Sequence, residues 1–306
     1  MIIPDKLKIG DTIGVCAPSD PITSENIEEI NEAKKKVEEA GFKVKFSNNM
    51  FSNTNKYSAT AKEKAEDLNE LFADKKVKMI WCAKGGSNSN SLFEYLDYEL
   101  IKANPKIICG YSDITSITNI INAKTGLVTF SGTNFKTIAT DETDFSFDEV
   151  INRFVNENLE IRNTNYGYRT IKEGQAEGAL IGGNLNLFHQ LIAGKYKVDC
   201  KNKILFLEEL GFETEPSLAS NFINYMKQNG IFDEIVGLWL GNYTHETEIQ
   251  LEQIVLNELG NDIKFPIIKS NNFGHIEEKT VIPIGTKAKI DTNKEVKIKL
   301  IEDCVK

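Results

Sequence analysis

Lys106-Ile107-Ile108-Cys109-Gly110-Tyr111-Ser112-Asp113-Ile114-Thr115 is the stretch on which the reading of this chain turns. Its apolar run predicts a buried strand over Lys106–Cys109, ending in Gly110, and Ile114–Lys124 then predicts a helix. Between them stands Ser112. A serine hydroxyl is a poor nucleophile in water. It becomes useful where a sharp strand-to-helix turn exposes it and the first helical N–H groups face a developing oxyanion. The word is not GxSxG, so the common hydrolase signature is absent. The bland alternative is that Ser112 or Asp113 only caps the helix.

Working outward, the first half repeats this strand-then-helix alternation. Thr12–Ala17, Lys43–Phe46 and Val77–Ala83 read as strands, and Ser24–Ala40, Thr60–Ala73 and Ser91–Leu100 as helices. Alternation of this kind predicts an α/β unit with a largely parallel sheet covered on both faces. In such sheets ligands bind beyond the carboxyl ends of the strands, where both Gly85-Gly86 and Ser112 fall. Asp141–Gly174 is polar and weakly periodic and reads as a linker or active-site loop. Beyond it, Gly182–Ala193 reads as a glycine turn followed by a helix. Strands are expected at Lys203–Leu207, Ile235–Leu240, Pro266–Ile268, Lys279–Ile284, Lys287–Asp291 and Glu295–Leu300, with helices at Ser217–Gln228 and Glu246–Leu259. The expected organisation is an N-terminal α/β domain over 1–140, a linker and loop over 141–174, and a β-rich α+β domain over 175–306.

Bulk properties narrow the chemistry. A net charge of −9 disfavours nucleic acid or an anionic membrane as partner and leaves small molecules. Five cysteines, an odd number without metal-ligand spacing, suit a reducing compartment. With no signal-like N-terminus and no run long enough to span a bilayer, a cytoplasmic location is expected.

Only three histidines can serve as a general base. His189 sits inside a helical pattern and reads as a packing residue; His245, in a polar stretch, reads as a cap or a solvated side chain. His275, on the loop Asn271-Asn272-Phe273-Gly274 before a strand, is free to project into a cleft. Such a base needs an acceptor on its other nitrogen to fix the tautomer. Glu208 and Glu209 end a strand and point to opposite faces, so one can face the cleft while the other faces solvent or a helix. The Gly85-Gly86 pair lets backbone approach a substrate closely. Its N–H, with that of Asp113, could form an oxyanion hole; a plain βα turn is the alternative.

Taken in order, these segments resemble the serine peptidases of the LD-carboxypeptidase (peptidase S66) family, and within it the microcin C7 self-immunity, MccF-like branch. The resemblance covers nearly the whole chain. It rests on Leu7-Lys8-Ile9-Gly10-Asp11-Thr12-Ile13-Gly14 with Ala17-Pro18-Ser19, Gly85-Gly86-Ser87-Asn88-Ser89-Asn90, Gly110-Tyr111-Ser112-Asp113, Gly182-Gly183-Asn184-Leu185, Leu207-Glu208-Glu209, and Phe273-Gly274-His275 with Ile282-Pro283-Ile284-Gly285. It implies a flavodoxin-like N-terminal domain, a homodimer and no metal or organic cofactor. It also implies a triad of Ser112 as nucleophile, His275 as base and Glu208 as its orienting group. The N–H groups of Gly85 and Asp113 would bind the oxyanion, and Gly86, Asn88, Asn184, Tyr166 and Tyr168 would contact substrate. The implied activity is hydrolysis of an amide in an aminoacyl- or peptidyl-nucleotide or a small peptide. The alternatives are trimming of the terminal D-Ala from a murein tetrapeptide, or a catalytically silent binding module. The chain departs from the branch in its interdomain loop, Asn163-Thr164-Asn165-Tyr166-Gly167-Tyr168-Arg169, which has tyrosines where microcin-degrading members carry Trp. Lys84 and Thr133-Asn134 also depart from the pattern.

Overall fold

The computed structural model describes residues 1–162, 167–244, 249–260 and 262–306. Five short strands open the chain: β1 (Thr12–Cys16), β2 (Lys43–Phe46), β3 (Val77–Cys82), β4 (Ile107–Gly110) and β5 (Thr129–Ser131). They pair in parallel in the order β2-β1-β3-β4-β5, the flavodoxin-like arrangement. Among the described residues eight further strands follow: β6 (Tyr168–Lys172), β7 (Gln175–Asn184), β8 (Lys203–Leu210), β9 (Gly237–Thr244), β10 (Ile267–Ser270), β11 (Ile282–Ile284), β12 (Lys287–Asp291) and β13 (Ile298–Leu300). Seven of these form a mixed sheet, β13-β12-β7-β8-β9-β10-β6, whose central four strands are parallel. The eighth, β11, crosses back and pairs antiparallel with β5 at the edge of the first sheet.

Among the contacts that hold the sheets in a fixed relation, two stand out. One apolar core contains Val15, Trp81 and Phe130 of the first sheet together with Phe206, Trp239 and Ile290 of the second. Trp81, Phe130, Phe206 and Trp239 are fully buried, and burying a side chain of this size contributes about 1.5–3 kcal/mol. The second contact is polar. Helix Ile114–Thr125, which starts just after Ser112, lies against β7, where Asn119 Nδ2 donates to Gly182 O at 2.8 Å and Asn119 Oδ1 accepts from Gly182 N at 3.3 Å. The helix that follows the Ser112 turn is thereby docked onto the sheet carrying Glu208.

Three expectations from the sequence are corrected. The helix expected over 91–100 is split into a tight turn at Ser89–Leu92 and a helix at Tyr98–Ala103, because the Asp97 carboxylate accepts from Leu100 N and starts the second segment afresh. The stretch 141–174 holds a ten-residue helix, Phe145–Phe154, whose Phe147, Val150 and Phe154 are buried, and then β6. Gly182 and Gly183 form no turn but lie inside β7, since a Cβ on Gly182 would sit 1.9 Å from the Phe206 carbonyl oxygen of β8. Among the described residues no helix is long and apolar enough to cross a membrane.

Candidate active site

The turn after β4 is built under tight constraint. A side chain on Gly110 would meet Ile114 at 2.8 Å and Asn134 Oδ1 at 2.9 Å, and that same Asn134 oxygen accepts from Tyr111 N at 3.1 Å. Ser112 follows with φ +64°, a left-handed conformation costly for a residue bearing a Cβ. Its side chain does not cap the helix. Asp113 occupies the cap position and also makes no side-chain cap bond, so the helix-cap alternative fails for both residues. Instead, Ser112 Oγ lies 3.0 Å from His275 Nε2.

His275 reaches the serine from the loop between β10 and β11. Its Nδ1 lies 2.8 Å from Glu208 Oε2. Gly274 makes this approach feasible: its φ is +124°, and a Cβ there would stand 2.9 Å from Asn242 Cβ and 3.2 Å from Glu208 Oε2. An alcohol, an imidazole and a carboxylate therefore form one hydrogen-bonded line, with His275 only 14 % and Glu208 4 % exposed. Burial works against a charged ring, but the attraction of Glu208, its hydrogen bond and the nearby Glu209 outweigh it and hold the His275 pKa above the ordinary imidazole value.

The surroundings sharpen this balance. The Tyr111 ring packs 5.2 Å from the imidazole, and the Lys279 ammonium lies 4.8 Å over the Tyr111 ring. Burial brings Lys279 down to about 8, against the pull of Asp141, Glu208 and Glu277. Burial also pushes the Tyr111 phenol up to about 12. The two glutamates diverge as a strand's period of two requires. Glu208 faces His275, whereas Glu209 faces the N-terminus of helix Leu185–Phe188 and accepts from Asn184 Nδ2, Asn186 N and Leu210 N. Burial and the neighbouring Glu208 raise Glu209 to about 7.

Gly85 stands against the serine, for a Cβ on it would lie 3.0 Å from Ser112 Cβ and 3.2 Å from its Oγ. Among the described residues no backbone acceptor takes the N–H of Gly85 or of Asp113. Gly86, with φ +150°, lies against Asp20 and Ser19. The remaining residues expected to contact substrate are distributed differently. Asn88 is held by Lys64, whose Nζ donates to its Oδ1 at 2.5 Å. Asn184 is buried, its amide on Glu209 and its oxygen accepting from Leu187 N at the start of the next helix. Tyr168 lies on β6 with its hydroxyl toward Asn272. Tyr166 and His245 lie outside the described residues. His189 stacks on Phe222 at 4.0 Å, the packing role its helical pattern suggests. Among the described residues no cluster of three or more His, Cys, Asp or Glu could hold a metal ion.

Residues that the motif reading left without a role also gather here: Ser19 at the end of β1, Lys64, Ser89, Tyr111 and Lys279. The available signal was position, because Ser19 follows β1 just as Gly85 follows β3 and Ser112 follows β4, all at the carboxyl edge of one parallel sheet.

Comparison with known proteins places the chain in a family. Residues 13–132 match the LD-carboxypeptidase N-terminal domain and residues 177–290 the LD-carboxypeptidase C-terminal domain. The chain belongs to the LD-carboxypeptidase (peptidase S66) family. Among its family relatives, the "Probable murein peptide carboxypeptidase" of Bacillus subtilis (strain 168) is 30% identical over 304 residues, covering 94% of this chain and 91% of that protein. The microcin C7 self-immunity protein MccF of Escherichia coli is 30% identical over 330 residues, covering 95% of this chain and 94% of that protein. A solved structure of MccF in complex with glutamyl sulfamoyl guanosine superposes with a TM-score of 0.89 at 25% identity, covering all of both chains.

Proposed function

We propose that this family member is a serine amidohydrolase of the MccF-like branch, cleaving the amide that joins an aminoacyl or peptidyl group to a nucleotide or a small leaving amine. The observation that carries the reading is the line Ser112 Oγ–His275–Glu208, at 3.0 and 2.8 Å, beside two N–H groups without a backbone acceptor. In the first half-reaction Ser112 Oγ attacks the carbonyl carbon while His275 Nε2 takes its proton. Glu208 holds the Nδ1–H tautomer and stabilises the imidazolium. The oxyanion rests on Gly85 N–H and Asp113 N–H, each donor worth roughly 3–4 kcal/mol. The carbon–nitrogen bond then breaks and His275 returns the proton to the leaving nitrogen. Water repeats the sequence on the ester, delivering its oxygen to the acyl carbon and its proton, through His275, to Ser112. General acid–base transfer of this kind contributes roughly 10²–10⁴-fold.

The glutamyl sulfamoyl guanosine bound to MccF supports an aminoacyl-nucleotide as the substrate class. The B. subtilis relative, at the same 30% identity as MccF, supports a second reading, removal of a terminal D-Ala from a murein tetrapeptide. The test assays both substrates side by side with wild-type and Ser112→Ala protein. Release of glutamate from glutamyl sulfamoyl guanosine, lost in Ser112→Ala, is the expected result. Turnover of the tetrapeptide alone would favour the second reading, and wild-type turnover by Ser112→Ala would end both.

A further inference from the structure

We propose that the Asp113 carboxylate, gripped by Ser19 and Ser89, is the positioning group that sets the oxyanion hole. The inference rests on the reading of Ser112 as nucleophile. Asp113 stands at a helix N-terminus, where an aspartate ordinarily caps, yet it makes no cap bond. Its fully buried side chain turns away instead. Oδ2 accepts from Ser19 Oγ at 2.5 Å and from Ser89 N at 2.7 Å, and Ser89 Oγ donates back to Asp113 O at 2.7 Å. Ser19 and Ser89 are fully buried as well.

These bonds join three separate segments: the end of β1, the loop from Gly85 to Ser89, and the nucleophile turn. The two N–H groups assigned to the oxyanion belong to the second and third. Further contacts keep the loop in place. A Cβ on Gly86 would fall 2.1 Å from Asp20 Oδ1 and 2.6 Å from Ser19 Oγ, so the loop lies directly on the end of β1. The buried Lys64 draws Asn88 inward from the other side. A buried carboxylate carries a desolvation cost of several kcal/mol. Starting a helix does not require that expense, since a serine or threonine cap would suffice. An acceptor bonded to both loops instead fixes the spacing of the two donors they carry. Misplacement by about 1 Å costs on the order of 10²-fold in rate.

The test compares Asp113→Ala, Asp113→Asn and Ser19→Ala with wild type. It measures kcat and KM on glutamyl sulfamoyl guanosine, the rate of Ser112 labelling by an alkyl fluorophosphonate, thermal unfolding, and the amide ¹⁵N–¹H resonances of Gly85 and Asp113. Asp113→Ala is expected to lose about 10²-fold in kcat with KM nearly unchanged. Asp113→Asn, which can keep an oxygen toward Ser19 and Ser89, recovers most of that loss. Ser19→Ala lowers kcat by about tenfold, slows labelling, shifts both amide resonances and lowers the unfolding midpoint only modestly, since Ser89 N still donates to the carboxylate. Should Asp113→Ala not fold, Ser19→Ala alone carries the test. Folded variants with wild-type kcat and unmoved amide resonances, or a change confined to KM, would overturn the proposal. Wild-type protein that neither labels at Ser112 nor turns over would remove the nucleophile reading instead, and the amide resonances of Ser19→Ala would still decide whether the clamp sets the two donors.

Discussion

Replacing Glu208 by Gln tests the charge balance at the centre of the site while keeping the shape. His275 is held above the ordinary imidazole pKa only because Glu208, with help from Glu209, outweighs the burial of the ring. Both partners are well shielded, at 14 % and 4 % exposure, so solvent screening is limited. For charge centres about 4 Å apart at an effective dielectric of about 20, the attraction is about 4 kcal/mol. The imidazolium formed during Ser112 attack would lose that stabilisation in Glu208→Gln. At about 1.4 kcal/mol per decade the expected fall in kcat is about 10³-fold. The pH–rate profile gives a second readout. The base must be neutral, so activity rises with pH through the His275 pKa. In wild type that acidic limb lies above the ordinary imidazole value. In Glu208→Gln burial acts with only the weaker Glu209 against it, and the limb moves to lower pH. The assay is kcat/KM on the amide substrate from pH 5 to about 9, with circular dichroism to confirm folding. A folded Glu208→Gln enzyme within about threefold of wild type, with its acidic limb unmoved, would refute the reasoning.

Gly85→Ala is expected to lower kcat by roughly 10²-fold with little change in the unfolding midpoint, because the new methyl would press on Ser112 Cβ at 3.0 Å and spoil the adjoining N–H; wild-type turnover would contradict it. Gly274→Ala places a Cβ at φ +124° and 2.9 Å from Asn242, and is expected to destabilise the fold by roughly 1–3 kcal/mol in chemical denaturation while uncoupling His275 from Glu208. Glu209 has a folded pKa raised to about 7, so its stabilising contribution is complete at low pH, below the unfolded carboxyl value, and is lost as pH rises through about 7. Whatever its absolute stability, Glu209→Gln should therefore show a smaller fall in unfolding free energy between pH 5 and pH 8 than wild type; equal slopes would show that Glu209 does not titrate in that window.

Much of the first sheet was legible in the chain because its signals are local. β2 over Lys43–Phe46 coincides with the expected strand, and in the second sheet so does β12 over Lys287–Asp291. The helix expected over Thr60–Ala73 forms over Ala61–Ala73, with Thr60 as its cap in reciprocal contact with Glu63. Two misreadings have identifiable causes. Helix Phe145–Phe154 carries its apolar residues at 147, 150, 151 and 154, a helical spacing masked by the polar run around it. The pair Gly182-Gly183 carries the composition of a turn, but it serves the close approach of β8 and of Thr115, which no local pattern encodes.

The amino-acid order by itself determined the alternation of elements in the first half, and with it the placement of Ser112 and Gly85 beyond the carboxyl ends of parallel strands. It also supplied a histidine behind a glycine and a pair of glutamates at a strand end. Residue by residue the chain left Glu208 and Glu209 open, and only the family resemblance singled out Glu208; tertiary structure decided that His275 meets a serine 163 residues away and a glutamate 67 residues away, with Glu208 facing it. Periodicity and capping act over a few residues. The meeting of distant side chains is set by the apolar core shared between the two sheets and by the Asn119–Gly182 contact that docks one on the other.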